Sequence, residues 1–250
     1  MDSLKQRMAR GDRLVGTFVK TASYEIIEVL AKSGLDFICL DAEHAPFDRA
    51  RLDACLAIAR ALNLPALVRV PSAAPSDILS VLDCGATGIV VPHVATVDKA
   101  EAIVRAAHFG HGGRGYAGST RFAGFATQKM PEILARGREE TIVIAQIEEP
   151  EGVDAADDIA AIAGIDGLFV GPADLAVCYG ETDMNAPVVR DAMKRTGRAT
   201  QAHGKTLMTF AVAAHVAPEL QEIGVSMFFV GSEHAFMLQG ARRAVADFAP

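Results

Sequence analysis

The sequence predicts a closed (β/α)8 barrel, and three observations carry that expectation. Eight short runs are mostly apolar rather than alternating, as strands buried on both faces of a parallel sheet are. Helical patterns separate them, and the β-then-α unit returns roughly every twenty to forty residues, which favours a closed barrel over an open doubly wound sheet. Ionisable residues collect at the carboxyl ends of the runs, where such barrels carry their chemistry. With 250 residues, half of them apolar, the chain can bury a full core, so residues 1–250 are expected to form one domain.

The elements follow in order. Val15–Val19 is the first strand, and Ser23 begins a helix that uses Ile26, Ile27 and Leu30 and stops at Gly34. Phe37–Asp41 is the second strand and leads into Ala42-Glu43-His44. Asp48 caps a helix carrying Leu52, Cys55, Leu56 and Ala59. The third strand, Ala66–Val70, contains Arg69. A helix opening at Ser76 runs through Ile78, Leu79 and Leu82 to Gly85, and Gly88–Val91 is stopped by Pro92-His93. Thr96 starts a helix with Ala100, Ile103, Val104 and Ala107 on its apolar side. An irregular glycine-rich segment, His111–Phe125, and a short helix from about Pro131 precede the fifth strand, Ile142–Ile147. One helix with Val153, Ile159 and Ile162 joins this to the sixth strand, which ends at Gly171-Pro172. A helix over Pro187–His203, a strand over Thr206–Phe210, a short helix over Pro218–Ile223, a strand over Met227–Val230 and a helix over Phe236–Phe248 complete the chain.

Composition narrows the function classes. A net charge of -7 without a basic cluster argues against nucleic acid as partner. No run of eighteen apolar residues is present, and the charged start MDSLKQRMARGDR has no apolar segment ending in a cleavage site; a cytoplasmic protein with no membrane partner is expected. Cys39, Cys55, Cys84 and Cys178 lack zinc-type pairing and read as reduced structural thiols.

The chemistry centres on two successive strands that each end at a carboxylate. Gln146 and Glu148 leave the fifth, and Asp174 follows the sixth. One reading makes Glu148 and Asp174 two oxygen ligands of a divalent cation completed by water and substrate; the other makes them helix caps favoured by the helix dipole. A cation held by two carboxylates suits a ligand with two adjacent oxygens, such as a 2-oxo acid, whose carboxylate the backbone amides from Ala173 to Leu175 would also meet. Arg69, inside an otherwise apolar strand, needs an anionic partner: an enolate oxygen, or Glu43 or Glu148 in an ion pair. His44, beside two acids on the same rim, is a candidate proton shuttle. Asp83 ends a helix and by itself reads as a capping residue; His93 is a weak candidate. Arg114 and Arg121 lie in the His111–Phe125 loop, which either closes over the mouth to meet an anionic group or is a plain connection.

Together the segments LDAEHAPFD, ALVRVP, LDCGATGIVVPHV, IAQIEEPEGV and FVGPADL resemble the HpcH/HpaI family of metal-dependent pyruvate aldolases, in order and in spacing, from about Gly16 to Gly231. The resemblance implies a barrel of the phosphoenolpyruvate/pyruvate type with magnesium, manganese or cobalt. It implies His44 as general base, Arg69 as the residue stabilising the enolate, and Asp83 as the group raising the basicity of the histidine, although Asp41 competes for that role. Glu148 and Asp174 are the implied metal ligands, and Gln146, Ala173 and Asp174 the implied substrate contacts. It further implies pyruvate or another 2-oxo acid and an aldehyde as substrates, and a final helix swapped onto a neighbouring subunit in a hexamer or other dimer-based assembly. The chain departs from the family pattern at LAVCYG after Asp174 and in the RGYAGSTRFAGF loop, both expected to border the aldehyde half of the pocket. Rival readings are a lyase of the citrate or malyl-coenzyme A type, a Schiff-base aldolase using Lys20, and a non-catalytic barrel that binds 2-oxo acids.

Overall fold

The computed structural model describes residues 2–211 and 214–248. Eight parallel strands close into a barrel in chain order: β1 (Leu14–Val19), β2 (Phe37–Asp41), β3 (Ala66–Arg69), β4 (Gly88–Val91), β5 (Ile142–Ile147), β6 (Gly167–Val170), β7 (Thr206–Ala211) and β8 (Val225–Ser232). Around them lie α1 (Leu4–Ala9), α2 (Tyr24–Leu30), α3 (Arg49–Ala61), α4 (Pro75–Asp83), α5 (Val97–Ala107), α6 (Met130–Glu140), α7 (Pro150–Asp154), α8 (Ala156–Ala161), α9 (Pro172–Cys178), α10 (Pro187–Ala202), α11 (Ala217–Glu222) and α12 (Glu233–Asp247). Continuous apolar runs are required because every residue of β2, β3, β4, β5 and β6 is buried, one face against the helices and the other in the barrel interior.

Phenylalanines fill that interior. Phe18 stacks on Phe229 with centroids 4.1 Å apart, and Phe37 and Phe169 meet the same ring edge-on at 5.4 and 5.0 Å. Gly16 makes room for them, since a Cβ there would come within 2.5 Å of the Phe37 ring. The stack is a floor, and the Arg69 guanidinium lies over Phe18 at 4.6 Å. From below, Leu4 and Met8 of α1 join the same apolar cluster. The sequence reading contains no α1, yet Ser3 and Gln6 form a complete capping box there.

Other elements differ in detail. Asp48 and Thr96 cap α3 and α5 by accepting from Arg51 and Lys99 amides, as expected. Ser23 stands at the start of α2 without capping it, and Pro75 rather than Ser76 opens α4. The single helix expected between β5 and β6 is two, because Ala155 leaves helical geometry at φ -87°, ψ 0°. The final helix begins at Glu233, three residues earlier than expected, with Ser232 accepting from the Ala235 amide. Within α12 only Glu233 is buried, while Phe236, Met237, Leu238 and Val245, and Phe248 at its C-cap, are exposed. All four cysteines are free, and only Cys178 is exposed. No helix among the described residues is long and apolar enough to cross a membrane.

Gly16→Ala is expected to lower stability by about 1–3 kcal/mol, because the added methyl overpacks the aromatic floor. Thermal and urea unfolding measure this, and an unchanged midpoint would show that the floor has slack.

Candidate active site

The parallel register sets Asp41 at the end of β2 opposite Arg69 at the end of β3. Their side chains form a buried bidentate pair, with Arg69 Nε donating to Oδ1 at 2.9 Å and Nη2 to Oδ2 at 2.7 Å. Burial pushes the Asp41 carboxyl up, but the hydrogen bonds and charge of Arg69 outweigh it and hold the group below the ordinary carboxylate range. The bidentate partner of Arg69 is therefore Asp41, which the ion-pair alternative did not name; of the two acids it did name, Glu43 pairs with Arg69 Nε at 3.3 Å. Arg69 Nη1 makes no hydrogen bond among the described residues. Lys20 at the exit of β1 sets its ammonium 3.4 Å from Asp41 Oδ2.

His44 lies just past β2, half-exposed, with its amide donating to Asp41 Oδ1 at 3.2 Å and its Nε2 3.5 Å from Glu43 Oε2. The expected pairing of His44 with Asp83 is not formed within this chain. Asp83 ends α4, which has run back toward the start of β4, and its carboxylate accepts from Arg114 Nη2 at 2.7 Å. The acids that reach His44 are Asp41 and Glu43. Nor does the His111–Phe125 segment lie over its own barrel mouth: Phe122 donates its amide to the Asp83 carbonyl, and Arg121 pairs with Asp53 of α3.

Glu148 is buried at the exit of β5. It accepts from the His93 amide at 2.7 Å and from Gln146 Nε2. Burial pushes its carboxyl above the ordinary range and the charge of Asp174 adds to this, against the hydrogen bonds from His93 and Gln146. Asp174 stands exposed in the first turn of α9. A Cβ built on Gly171 would lie 3.3 Å from Glu148 Oε2 and 3.6 Å from Asp174 Oδ2, so both carboxylates border one spot above that glycine. No group of three or more His, Cys, Asp or Glu among the described residues has metal-holding geometry. Two carboxylates, one just past β5 and one in the first turn of α9, with the space between them kept clear by Gly171, fit a hard divalent cation whose remaining positions would go to water and substrate. In α9 the first amide bonded back along the helix is that of Leu175, to Gly171, which leaves the Ala173 and Asp174 amides open to a carboxylate. Gln146 is buried beneath Glu148, and its own Oε1 has no partner.

One residue of the mouth carries more contacts than its sequence position implied. His93, at φ 55°, places Nδ1 3.2 Å from Glu148 and 3.0 Å from Glu149, and Nε2 3.7 Å from Glu43. A histidine directly after Pro92 at a strand exit was the available signal, but the left-handed backbone that turns its ring inward cannot be read from residue types.

Residues 14–247 match the family model described as HpcH/HpaI aldolase/citrate lyase. The chain is 31% identical to a hydroxypyruvate/pyruvate aldolase of Roseovarius nubinhibens, over 99% of this chain and 96% of that protein. It is 32% identical to a 5-keto-4-deoxy-D-glucarate aldolase of Enterobacter sp., over 98% and 96%. Among solved structures, an HpcH/HpaI aldolase/citrate lyase family protein from Burkholderia cenocepacia superposes with a TM-score of 0.92 at 34% identity, covering 99% of both chains. With the barrel closed and the acids, arginine and histidine gathered at one rim, the chain belongs to the HpcH/HpaI aldolase/citrate lyase family, and it is an aldolase-type carbon–carbon lyase.

Proposed function

We propose that the chain cleaves a 4-hydroxy-2-oxo acid to pyruvate, or a close 2-oxo acid, and an aldehyde, and runs the reverse addition. The carrying observation is that Glu148 and Asp174 border one spot at the rim that also holds Arg69 and His44. Relatives named for pyruvate, hydroxypyruvate and a keto-deoxy sugar acid support the same substrate class.

In this reading Glu148 and Asp174 hold magnesium, manganese or cobalt, which when bound supplies Lewis-acid polarisation of the 2-oxo group. The Ala173 and Asp174 amides receive the substrate carboxylate, and Gln146 holds Glu148 in place by its amide. His44 takes the proton of the 4-hydroxyl, the electrons of the C3–C4 bond pass into the 2-oxo acid half, and the aldehyde leaves. Arg69, held in place by Asp41, stabilises the oxygen of the resulting enolate, which picks up a proton at C3 to give the 2-oxo acid. Asp83, held by Arg114, would meet a His44 only across a subunit boundary. Residues 1–250 act as one catalytic domain in the cytoplasm. The uncovered apolar side of α12 supports a homo-oligomer, a hexamer or other dimer-based assembly, in which that helix packs on a neighbour.

Exhaustive chelation should abolish pyruvate release, and magnesium, manganese or cobalt should restore it; activity that survives chelation would falsify the metal-assisted reading. Because a cation and a proton compete for Glu148, the metal concentration for half-restoration should rise as pH falls through the raised Glu148 value. Arg69→Lys keeps a charge for Asp41 but loses the planar fork, so kcat should fall about 100-fold or more with a folded protein, read by kinetics beside circular dichroism. Truncation before Glu233 should shift the assembly to smaller species by light scattering. An unchanged mass would remove α12 from the interface.

A further inference from the structure

Lys20 is a cation in the mouth of the barrel whose donors are not used there. It follows β1, with its ammonium 3.4 Å from Asp41 Oδ2 and 36% of its side chain exposed. Both oxygens of Asp41 already accept from Arg69, and Oδ1 accepts from the His44 amide as well. Lys20 Nζ makes no hydrogen bond among the described residues, so the carboxylate keeps the charge near without engaging its three donors. The ammonium stands inside the mouth rather than on the outer wall, because Asp41 is fully buried at the end of β2 and its partner Arg69 lies over the Phe18 ring of the floor.

The backbone that carries this side chain is anchored. Glu233, buried at the start of α12, accepts with one oxygen from the Lys20 amide at 2.8 Å and from the Thr21 amide at 2.6 Å. His234 Nε2 lies 2.9 Å from Thr21 Oγ1. Two residues that follow β8 thus fix the turn after β1, and the ammonium reaches the mouth from a set point. Residues 20–23, between β1 and α2, and residues 42–48, between β2 and α3, contain one Lys or Arg, which is Lys20. Asp41 and Glu43 share the single cation Arg69, so without Lys20 this side of the mouth would carry net negative charge and repel an anion. Lys20 brings it to balance and adds directed donors.

We propose that Lys20 determines the acceptor specificity of the enzyme, its ammonium binding an anionic group, carboxylate or phosphate, at the far end of the aldehyde. The inference rests on the aldol reading above, with the 2-oxo acid at Glu148 and Asp174. In chain order around eight strands, β1 and β2 stand across the barrel from β5 and β6. A substrate held by its 2-oxo acid end beyond β5 and β6 extends across the mouth to His44 beyond β2, which receives its 4-hydroxyl proton, and the atoms past that carbon come next to β1. Lys20 therefore meets the aldehyde half alone and acts on its binding rather than on the breaking bond. A point charge on a flexible stem suits end groups at differing reach.

Pyruvate addition is measured with aldehydes paired for size, succinic semialdehyde against butanal and glyceraldehyde 3-phosphate against glyceraldehyde, in the wild type, Lys20→Met and Lys20→Arg. Exchange of the pyruvate methyl protons in deuterium oxide, followed by NMR, reports the donor half with no aldehyde present. The wild type should favour an anionic aldehyde over its neutral partner in kcat/KM, and the pair that shows this identifies the end group as carboxylate or phosphate. Lys20→Met should lower that preference about 10- to 100-fold, chiefly through KM for the anionic aldehyde, and Lys20→Arg should retain most of it. No preference in the wild type, or an equal loss with charged and neutral aldehydes in Lys20→Met, overturns the inference. Loss of methyl exchange in Lys20→Met also overturns it, because the residue would then serve the donor half. A wild type that neither exchanges nor adds pyruvate to any aldehyde overturns the aldol reading itself, and this inference with it. Lys20→Gln, with the same readouts, replaces Lys20→Met if thermal unfolding shows that the latter is not folded.

Discussion

Arg69 and Asp41 are charged groups withdrawn from water, and the mouth of the barrel is arranged around keeping them paired. Their strands set them opposite each other, so two parallel hydrogen bonds form without distortion. The aromatic floor stacks under the guanidinium, the Lys20 ammonium adds a second cation beside the carboxylate, and the His44 amide donates to the same acid. Removing either partner alone would leave a buried charge with only its weaker second partner, Lys20 for Asp41 or Glu43 for Arg69, at a cost of up to about 3–5 kcal/mol. The pair holds the guanidinium in one orientation by two hydrogen bonds.

The opposite half of the rim is built from unbalanced negative charge. Glu148 is buried beside Asp174, and burial together with that neighbouring charge pushes its carboxyl up. Gly171 keeps the space between them open, and Gln146 and the His93 amide fix the buried carboxylate from two sides. The Arg69–Asp41 pair and the Glu148–Asp174 carboxylates thus lie a few strands apart on one closed sheet. Glu43 and His93 span the gap between them.

Much of this was readable from residue types alone. Continuous apolar runs, helix caps at Asp48 and Thr96, and glycine stops at Gly34 and Gly85 reflect local energetics, so they place the strands and most helices within a few residues. Acids and an arginine at strand ends mark the rim, because an ion in an apolar run requires a partner or a function. The sequence therefore determined the barrel, its active end, and Glu148, Asp174, Arg69 and His44 as the residues to watch.

Which of these touch was decided by the closure of the barrel. Asp41 takes both hydrogen bonds of Arg69, with Glu43 a further ion pair, because register, a property of two strands at once, sets Asp41 and Arg69 side by side. Asp83 belongs with Arg114 because a helix returning along the barrel carries its last residue away from the mouth. His93 enters the site through one left-handed backbone angle, and α1 reaches the barrel interior through Leu4 and Met8. Periodicity and capping are local and leave a trace in neighbouring residues, whereas pairings between residues tens of positions apart depend on strand order, shear and the direction of each return, which only the closed structure specifies.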